Sequence, residues 1–286
     1  VKTKTGVLLM NVGTPNSPEP RDVRRYLREF LSDPFVIDIN PLGRWLLLNL
    51  IILPLRPKKS AEAYRKVWRD DGSPLLVFSM QFTEKLRAAL APEYDVQLAM
   101  RYGSPSLNSV LEGFRERGIE KLILFPLYPQ YAQSSTETSI QRVRTLTAEM
   151  WDNLDIQVVA PFYDNAGLAD AVVEIGKPVM DEQTPDHILF SFHGLPERHI
   201  RKCDPTGTHC FELENCCETV SDKNPNCYRA QCYATARLVA ARLDLNPAQW
   251  TVCFQSRLGR DPWIKPYTDV ILEDLAAQGI KDLVVF

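Results

Sequence analysis

The chain has 286 residues, enough for one large or two modest domains around a sizeable buried core. Hydrophobic residues make up 45% and charged residues 24%, the balance of a soluble globular protein. A net charge of −3, from 33 Lys+Arg against 36 Asp+Glu, argues against nucleic acid as a partner.

The chain opens at Val1 without a charged-then-apolar leader, so no signal peptide is expected. Residues 6–10 (GVLLM) read as a buried strand, and Asn11-Val12-Gly13-Thr14-Pro15 turns out of it. Residues 21–31 are helical, with Val23, Tyr26, Leu27, Phe30 and Leu31 on one face, and Asp33-Pro34 ends the helix. Residues 45–55 (WLLLNLIILPL) are the most apolar stretch and too short for a bilayer span, which needs about 20 residues. Arg56, Lys58 and Lys59 follow at once, so 45–59 suits a segment that dips into lipid headgroups, or an ordinary buried helix.

Helix continues over 64–68 and breaks at Asp71-Gly72-Ser73-Pro74. Residues 81–90 and 107–114 are amphipathic helices around a strand at 96–100, which opens into Arg101-Tyr102-Gly103. A strand at 122–125 leads into the loop 126–131 (PLYPQY), a helix at 138–150 and a strand at 156–160. Strands alternating with helices mean βαβ units and parallel sheets.

Residues 188–196 (ILFSFHGLP) are a short apolar run closed by Gly194 and Pro196, the pattern of a buried parallel strand. His193 then falls at the strand's carboxyl end, where open α/β sheets place their ligands. From the residues alone it is either a metal-capable site residue or a satisfied core or turn histidine. His187, His199 and His209 lack such a context and read as solvent or turn residues. The second half continues with a helix at 228–243, a strand at 252–255, a helix at 267–278 and a strand at 283–286.

The halves repeat. GVLLMNVGTP (6–15) matches HILFSFHGLP (187–196), the strand opening into Arg101 matches the one opening into Ser256-Arg257, and GIEKLILF (118–125) matches GIKDLVVF (279–286). Two similar Rossmann-like α/β domains are expected, 1–155 carrying the apolar stretch 45–55 and 156–286, with parallel sheets flanked by helices and a ligand cleft between them. There is no G-x-G-x-x-G after the first strand, no P-loop and no G-x-S-x-G, so dinucleotide, P-loop NTPase and α/β-hydrolase chemistry are disfavoured.

At this point the residues carry a resemblance. Leu9-Met10-Asn11-Val12-Gly13-Thr14-Pro15, Tyr64-Arg65 with Gly72-Ser73-Pro74, Arg101-Tyr102, and Pro129-Gln130-Tyr131 with Ser134-Ser135-Thr136 occur in an order that resembles the ferrochelatases. Ser191-Phe192-His193-Gly194-Leu195-Pro196, Phe254-Gln255-Ser256-Arg257 and residues 262–269 (PWIKPYTD) complete the match, which runs nearly end to end. The resemblance implies a lyase that inserts Fe2+ into protoporphyrin IX in the last step of haem biosynthesis, with the porphyrin held between two chelatase-like domains. It places the family's histidine on His193, which would take pyrrole protons or contact the substrate iron. Tyr64, Arg101, Tyr102, Tyr131 and Trp263 are the porphyrin-binding candidates. The stretch 45–55 aligns with the family's hydrophobic lip, which favours protoporphyrin over coproporphyrin and a cytoplasmic protein peripheral to the inner membrane. A tetrapyrrole- or metal-binding redox sensor, a coproporphyrin ferrochelatase and a sirohydrochlorin chelatase are the alternatives.

Five of the seven cysteines fall in one insertion, Cys203-x6-Cys210-x5-Cys216-Cys217-x9-Cys227. Clustered cysteines without a secretion signal favour metal or redox chemistry over disulfides. No C-x-x-C is present, so a zinc ribbon fits poorly, and ferredoxin spacings are missed as well. Some bacterial ferrochelatases resemble the chain in carrying cluster cysteines within such an insertion, which implies a 2Fe–2S cofactor. Cys210, Cys216, Cys217 and Cys227 are its expected ligands, with Cys203 as the alternative; reduced thiols or zinc remain the other readings. Cys232 and Cys253 read as buried free thiols. Finally, the repeat predicts that the second domain is truncated at Phe286, with a loop, helix and strand on the order of 40 residues to follow. The resemblance places a carboxylate partner of His193 in that tail.

Overall fold

A computed structural model describes residues 4–286 apart from 214, 258 and 260. By internal packing the chain forms two units, one of residues 1–128 and 133–160, the other of residues 129–132 and 161–286.

The first unit is organised on β1 (Thr5–Thr14), which pairs in parallel on both sides. Its neighbours are β2 (Asp95–Gly103) and β3 (Lys121–Pro126), and β4 (Asp155–Val158) extends the sheet in the order β2-β1-β3-β4. A central strand covered on both faces must be apolar throughout, and Val7, Leu8, Leu9 and Met10 are all buried. Side chains alternate across the sheet. Leu8 and Met10 join a core with α5 (Leu107–Glu116) and α6 (Thr138–Met150) through Phe114, Leu111 and Val143. Val7 and Leu9 face Leu76, Leu86 and Leu90 of α4 (Pro74–Leu90).

Three further helices line this unit. α1 (Pro20–Ser32) begins on a proline, whose fixed φ suits the first turn of a helix, and buries Val23 and Tyr26. α2 (Pro41–Leu46), a π-helical stretch (Leu47–Ile52) and α3 (Leu53–Val67) carry the apolar run. Leu48 and Leu53 are buried, yet Leu42, Trp45, Leu50 and Leu55 are more than half exposed. No helix among the described residues is long and apolar enough to cross a membrane.

The second unit is organised on β5 (His187–His193), again central and parallel on both sides. Its neighbours are β6 (Trp250–Gln255) and β7 (Leu283–Val285), in the order β6-β5-β7, the same arrangement as β2-β1-β3. One face packs on α7 (Ala166–Gln183) and α9 (Tyr228–Arg242) through Ile188, Phe190, Ala236 and Val239. On the other face Leu189 and Cys253 meet Leu275 of α10 (Thr268–Ala277). A short α8 (Glu197–Lys202) follows β5.

The fold departs from the sequence reading in several places, among them the short helices α2 and α8, which that reading lacks. α7 is absent from that reading because Gly176 and Pro178 interrupt its apolar period. Gly176 is needed there, since a Cβ would come within 2.0 Å of the Phe286 ring. α4 begins at Pro74, seven residues before residue 81, because a proline at the first helical position starts a helix rather than breaking one. His187 and His199 are buried, at 7% and 4% exposure, and not solvent or turn residues. His187 opens β5 with its Nε2 2.9 Å from Thr251 Oγ1.

Candidate active site

The carboxyl end of β5 projects one titratable side chain. His193 is the last residue of the strand, in register with Gln255 of β6, and its ring is exposed where the strand's buried part ends. The next residue locks the strand end, as Gly194 N donates to Gln255 O at 2.7 Å. A Cβ at Gly194 would lie 2.8 Å from Gln255 O and 3.2 Å from the Trp263 ring, so only glycine lets these pieces close. Trp263 stands edge-on to His193 with ring centroids 6.5 Å apart. It is held there by an antiparallel bridge to Pro196 and by Ile264 N donating to Leu195 O at 2.9 Å. Desolvation by this packing lowers the His193 imidazole below its ordinary 6.5. The ring therefore sheds its proton at a lower pH than a free histidine and offers a lone pair at neutral pH.

Tyr131 belongs to the same unit. Its backbone N–H donates to Gln231 Oε1 at 2.6 Å, and Gln130 Nε2 donates to Thr235 Oγ1 at 2.9 Å, so the loop 129–132 is fastened along α9. Tyr228, the first residue of α9, donates its hydroxyl to the carbonyl of His193 at 2.9 Å. Neither Tyr228 nor Gln231 stands out in the sequence, because each is one polar residue on an otherwise apolar-faced helix.

The cysteine segment gathers as well. Cys210, Cys216, Cys217 and Cys227 are buried in one core cluster, while Cys203 sits half-buried at the end of α8. Cys216 Sγ and Cys217 Sγ are 3.6 Å apart, and the Cys227 thiol is in hydrogen-bonding reach of Cys210 and Cys217. Burial and the Asp204 carboxylate push Cys210 up to about 11; the contact with Cys227 and burial push Cys217 up too. The Arg229 guanidinium donates to Cys217 Sγ at 3.2 Å. A cavity of about 720 Å³ lined by Cys217, Arg229, Tyr233 and Arg237 opens beside these thiols. Among the described residues no three His, Cys, Asp or Glu side chains are set for a single metal ion. Cys232 and Cys253 are buried thiols on α9 and β6.

The other three substrate candidates lie in the first unit, at the carboxyl end of β2 and on α3. Tyr64 is half-buried, edge-on to Trp68 at 6.1 Å. Arg101 and Tyr102 are committed to a buried carboxylate. Asp33 Oδ2 accepts from the Arg101 guanidinium, from Tyr102 OH at 2.8 Å and from Thr138 Oγ1 at 2.6 Å. Arg101 Nε donates in turn to Thr138 Oγ1 at 3.0 Å, and Phe35 N donates to Asp33 Oδ1 at 2.7 Å. Tyr102 is only 1% exposed, so it supports the wall from behind and has no surface for a ligand.

Residues 4–286 match the family model of the ferrochelatases. The chain is 47% identical to a ferrochelatase of Ectopseudomonas mendocina over 99% of its own length and 82% of the relative's. It is 45% identical to a ferrochelatase of Coxiella burnetii, covering 99% of this chain and 78% of the relative, and 46% identical to one of Pseudomonas fluorescens at 99% and 82%. The chain belongs to the ferrochelatase family.

Within this ferrochelatase-family chain, Asp33 is the residue whose weight the sequence conceals. Asp33-Pro34 reads as a helix terminator, and the carboxylate is in fact 6% exposed and ties three elements together. Removing one partner of a buried ion pair leaves the other charge uncompensated, which costs about 3–5 kcal/mol. Asp33→Asn is expected to lower the unfolding free energy by that order, read as a lower urea midpoint at unchanged slope. Arg101→Leu in the same chain should recover part of the loss. Unchanged midpoints would show that the network carries no stability.

Proposed function

We infer that this chain inserts ferrous iron into protoporphyrin to give protohaem, as a lyase of haem biosynthesis. The observation that carries this reading is His193, held at the open carboxyl end of β5 beside Trp263. Charge balance sets the chemistry: as Fe2+ enters, two pyrrole N–H protons must leave. A histidine kept neutral by desolvation can take such a proton or face the entering iron with its lone pair. In the second unit Trp263 and Tyr131 supply aromatic surface for a flat apolar macrocycle, and in the first unit Tyr64 is the aromatic candidate. Arg101 and Tyr102 enter the reading as supports of the wall, since Asp33 already engages both. With purified protein and ferrous or zinc ion, protoporphyrin should turn over faster than coproporphyrin. His193→Ala should fall below about a tenth of wild-type turnover, roughly 1.4 kcal/mol in barrier. A faster reaction with coproporphyrin would reassign the substrate, and near-normal turnover of His193→Ala would remove this residue from the mechanism.

The same protein holds a 2Fe–2S cluster on Cys210, Cys216, Cys217 and Cys227. The donor set fits: four buried thiols lie together, with Arg229 placed to offset thiolate charge. A tetrahedral centre with metal–sulfur bonds near 2.3 Å sets two of its thiolates about 3.7 Å apart, and the Cys216–Cys217 separation is 3.6 Å. Such a cluster would supply a one-electron redox centre. Protein purified without oxygen should be coloured and carry about two irons per chain in that case. A colourless protein with background iron would sink the cluster.

The apolar stretch docks on a membrane surface. Leu42, Trp45, Leu50 and Leu55 are exposed, and exposed Arg56, Lys58 and Lys59 follow, a pairing suited to anionic headgroups over an acyl boundary. Protoporphyrin partitions into lipid, so an apolar mouth at that surface serves its entry. Wild-type protein should sediment with vesicles containing anionic phospholipid, and Leu50→Asp should sediment far less while keeping its circular dichroism. Equal sedimentation of the two would place the contact elsewhere.

A further inference from the structure

The first turn of α9 touches the strand end, the Trp263 loop, the cysteine segment and the Tyr131 loop. Tyr228 Oη donates to the carbonyl of His193 at 2.9 Å. Arg229 Nε donates to Lys265 O at 2.9 Å, on the loop that carries Trp263, and its Nη1 donates to Cys217 Sγ at 3.2 Å. Gln231 takes the N–H of Tyr131. The residue before this turn is Cys227, the N-cap of α9 and the end of the cysteine segment. Its carbonyl accepts from Gln231 N at 3.0 Å, so the cap and the turn move as one piece.

Along β5 the ladder to β7 ends at Leu189 and the ladder to β6 ends at His193 itself. The last residue of the strand is therefore held by β6 on one side only, through its pairing with Gln255 and the bond from Gly194 N to Gln255 O, and otherwise by what it meets beyond the sheet. On one side is Trp263. On the main chain it is the Tyr228 hydroxyl, from a residue 35 positions later in sequence. The Tyr228 hydroxyl on the carbonyl and Gln255 O on the Gly194 N–H together fix the peptide that follows His193, and with it the backbone from which the imidazole projects.

We propose that Tyr228 is a positioning residue for His193, and that through its bond to Cys227 it makes the placement of this histidine depend on the cysteine segment. The proposal rests on the reading of His193 as the reacting side chain. It needs no metal in the segment: any change that shifts Cys217 or Cys227 pulls on Arg229 and Tyr228, and these hold His193 and the Trp263 loop.

The test uses Tyr228→Phe, which keeps the ring and removes the hydroxyl, in the full chain. With zinc as the inserted ion, kcat should fall about tenfold, equal to roughly 1.4 kcal/mol, while the KM for porphyrin stays within about twofold, the split expected of lost positioning. The second readout is the imidazole NMR signal of His193, identified by its loss in His193→Ala. Cys217→Ala should shift that signal in the wild-type background and shift it clearly less in the Tyr228→Phe background, where only the path from Arg229 to the Trp263 loop remains. The signal of buried His187 reports whether the variants are folded. A wild-type kcat in Tyr228→Phe overturns the positioning role. A Cys217→Ala shift that is as large without the hydroxyl as with it, or that is absent with it, overturns the link. If wild-type protein inserts no metal at all, the chelatase reading fails on its own, and the NMR arm still decides whether Tyr228 connects the cysteines to His193.

Discussion

β5 is held on both sides, and that pairing decides where chemistry can occur in the second unit. Its buried run Ile188, Leu189 and Phe190 is committed to two parallel ladders and two covered faces. No polar side chain can sit along that run without losing its water. Burial falls off through Ser191 and Phe192, and the first exposed position is the carboxyl end, which His193 occupies. Gly194 then has to be glycine, because β6 and Trp263 close on its α-carbon. The site is thus a consequence of packing upstream: a strand registered against β6 with His193 opposite Gln255 presents this histidine, and a slip by one residue would turn it to the other face.

The first unit uses the equivalent strand differently. β1 runs on through Thr14, and its turn is tied by Tyr26 OH donating to Gly13 O at 3.2 Å. Gly13 adopts φ +101°, and a Cβ there would meet the Tyr102 carbonyl at 1.8 Å, so β1 and β2 approach as closely as backbones can. Beside this contact the Asp33 carboxylate gathers Arg101, Tyr102 and Thr138. A buried carboxylate is tolerable only when its lone pairs are filled, and here a guanidinium, two hydroxyls and a backbone N–H fill them. The positive charge that a porphyrin carboxylate would seek at Arg101 is therefore largely spent inside the unit. This end of β2 is built for rigidity more than for ligand charge.

The parts of this design that repeat or alternate are legible in the chain. β1, β5 and their neighbours stand out because buried parallel strands are uniformly apolar and the two halves copy each other. His193 is legible for the same reason, as a polar residue at a fixed place in a copied pattern. What sequence does not display is contact across long separations. Asp33 meets Thr138 and Tyr228 meets His193 through folding alone, and each reads locally as a helix stop or a helix start. Pro74 and Pro178 mislead in opposite ways, one opening a helix and the other lying inside one. At Pro74 one local rule about proline, helix opening, holds over the other, and only at Pro178 does tertiary packing outweigh the helix-breaking rule.

The cysteine segment shows how a stretch without helix or strand can still be ordered. Between α8 and α9 its backbone is held by two polar side chains. Asp204 accepts from the backbone N–H groups of Thr206, Gly207, His209 and Cys210, at 2.8–3.1 Å. Asn224, fully buried, donates to the carbonyls of Cys216 and Thr219 and accepts from Ser221 N. These bonds replace the ladder that a strand would provide. They also fix the protonation problem of the segment. Burial raises the Cys210 thiol, up to about 11, and the Cys216 thiol, so a metal bound by them must expel their protons, while Arg229 is the cation already in contact with Cys217. A loop this long with no regular structure is seldom retained without a function. Its two ends bear on the same strand, α8 following His193 directly and α9 returning to its carbonyl. The segment is thus anchored at both ends to the strand that presents His193.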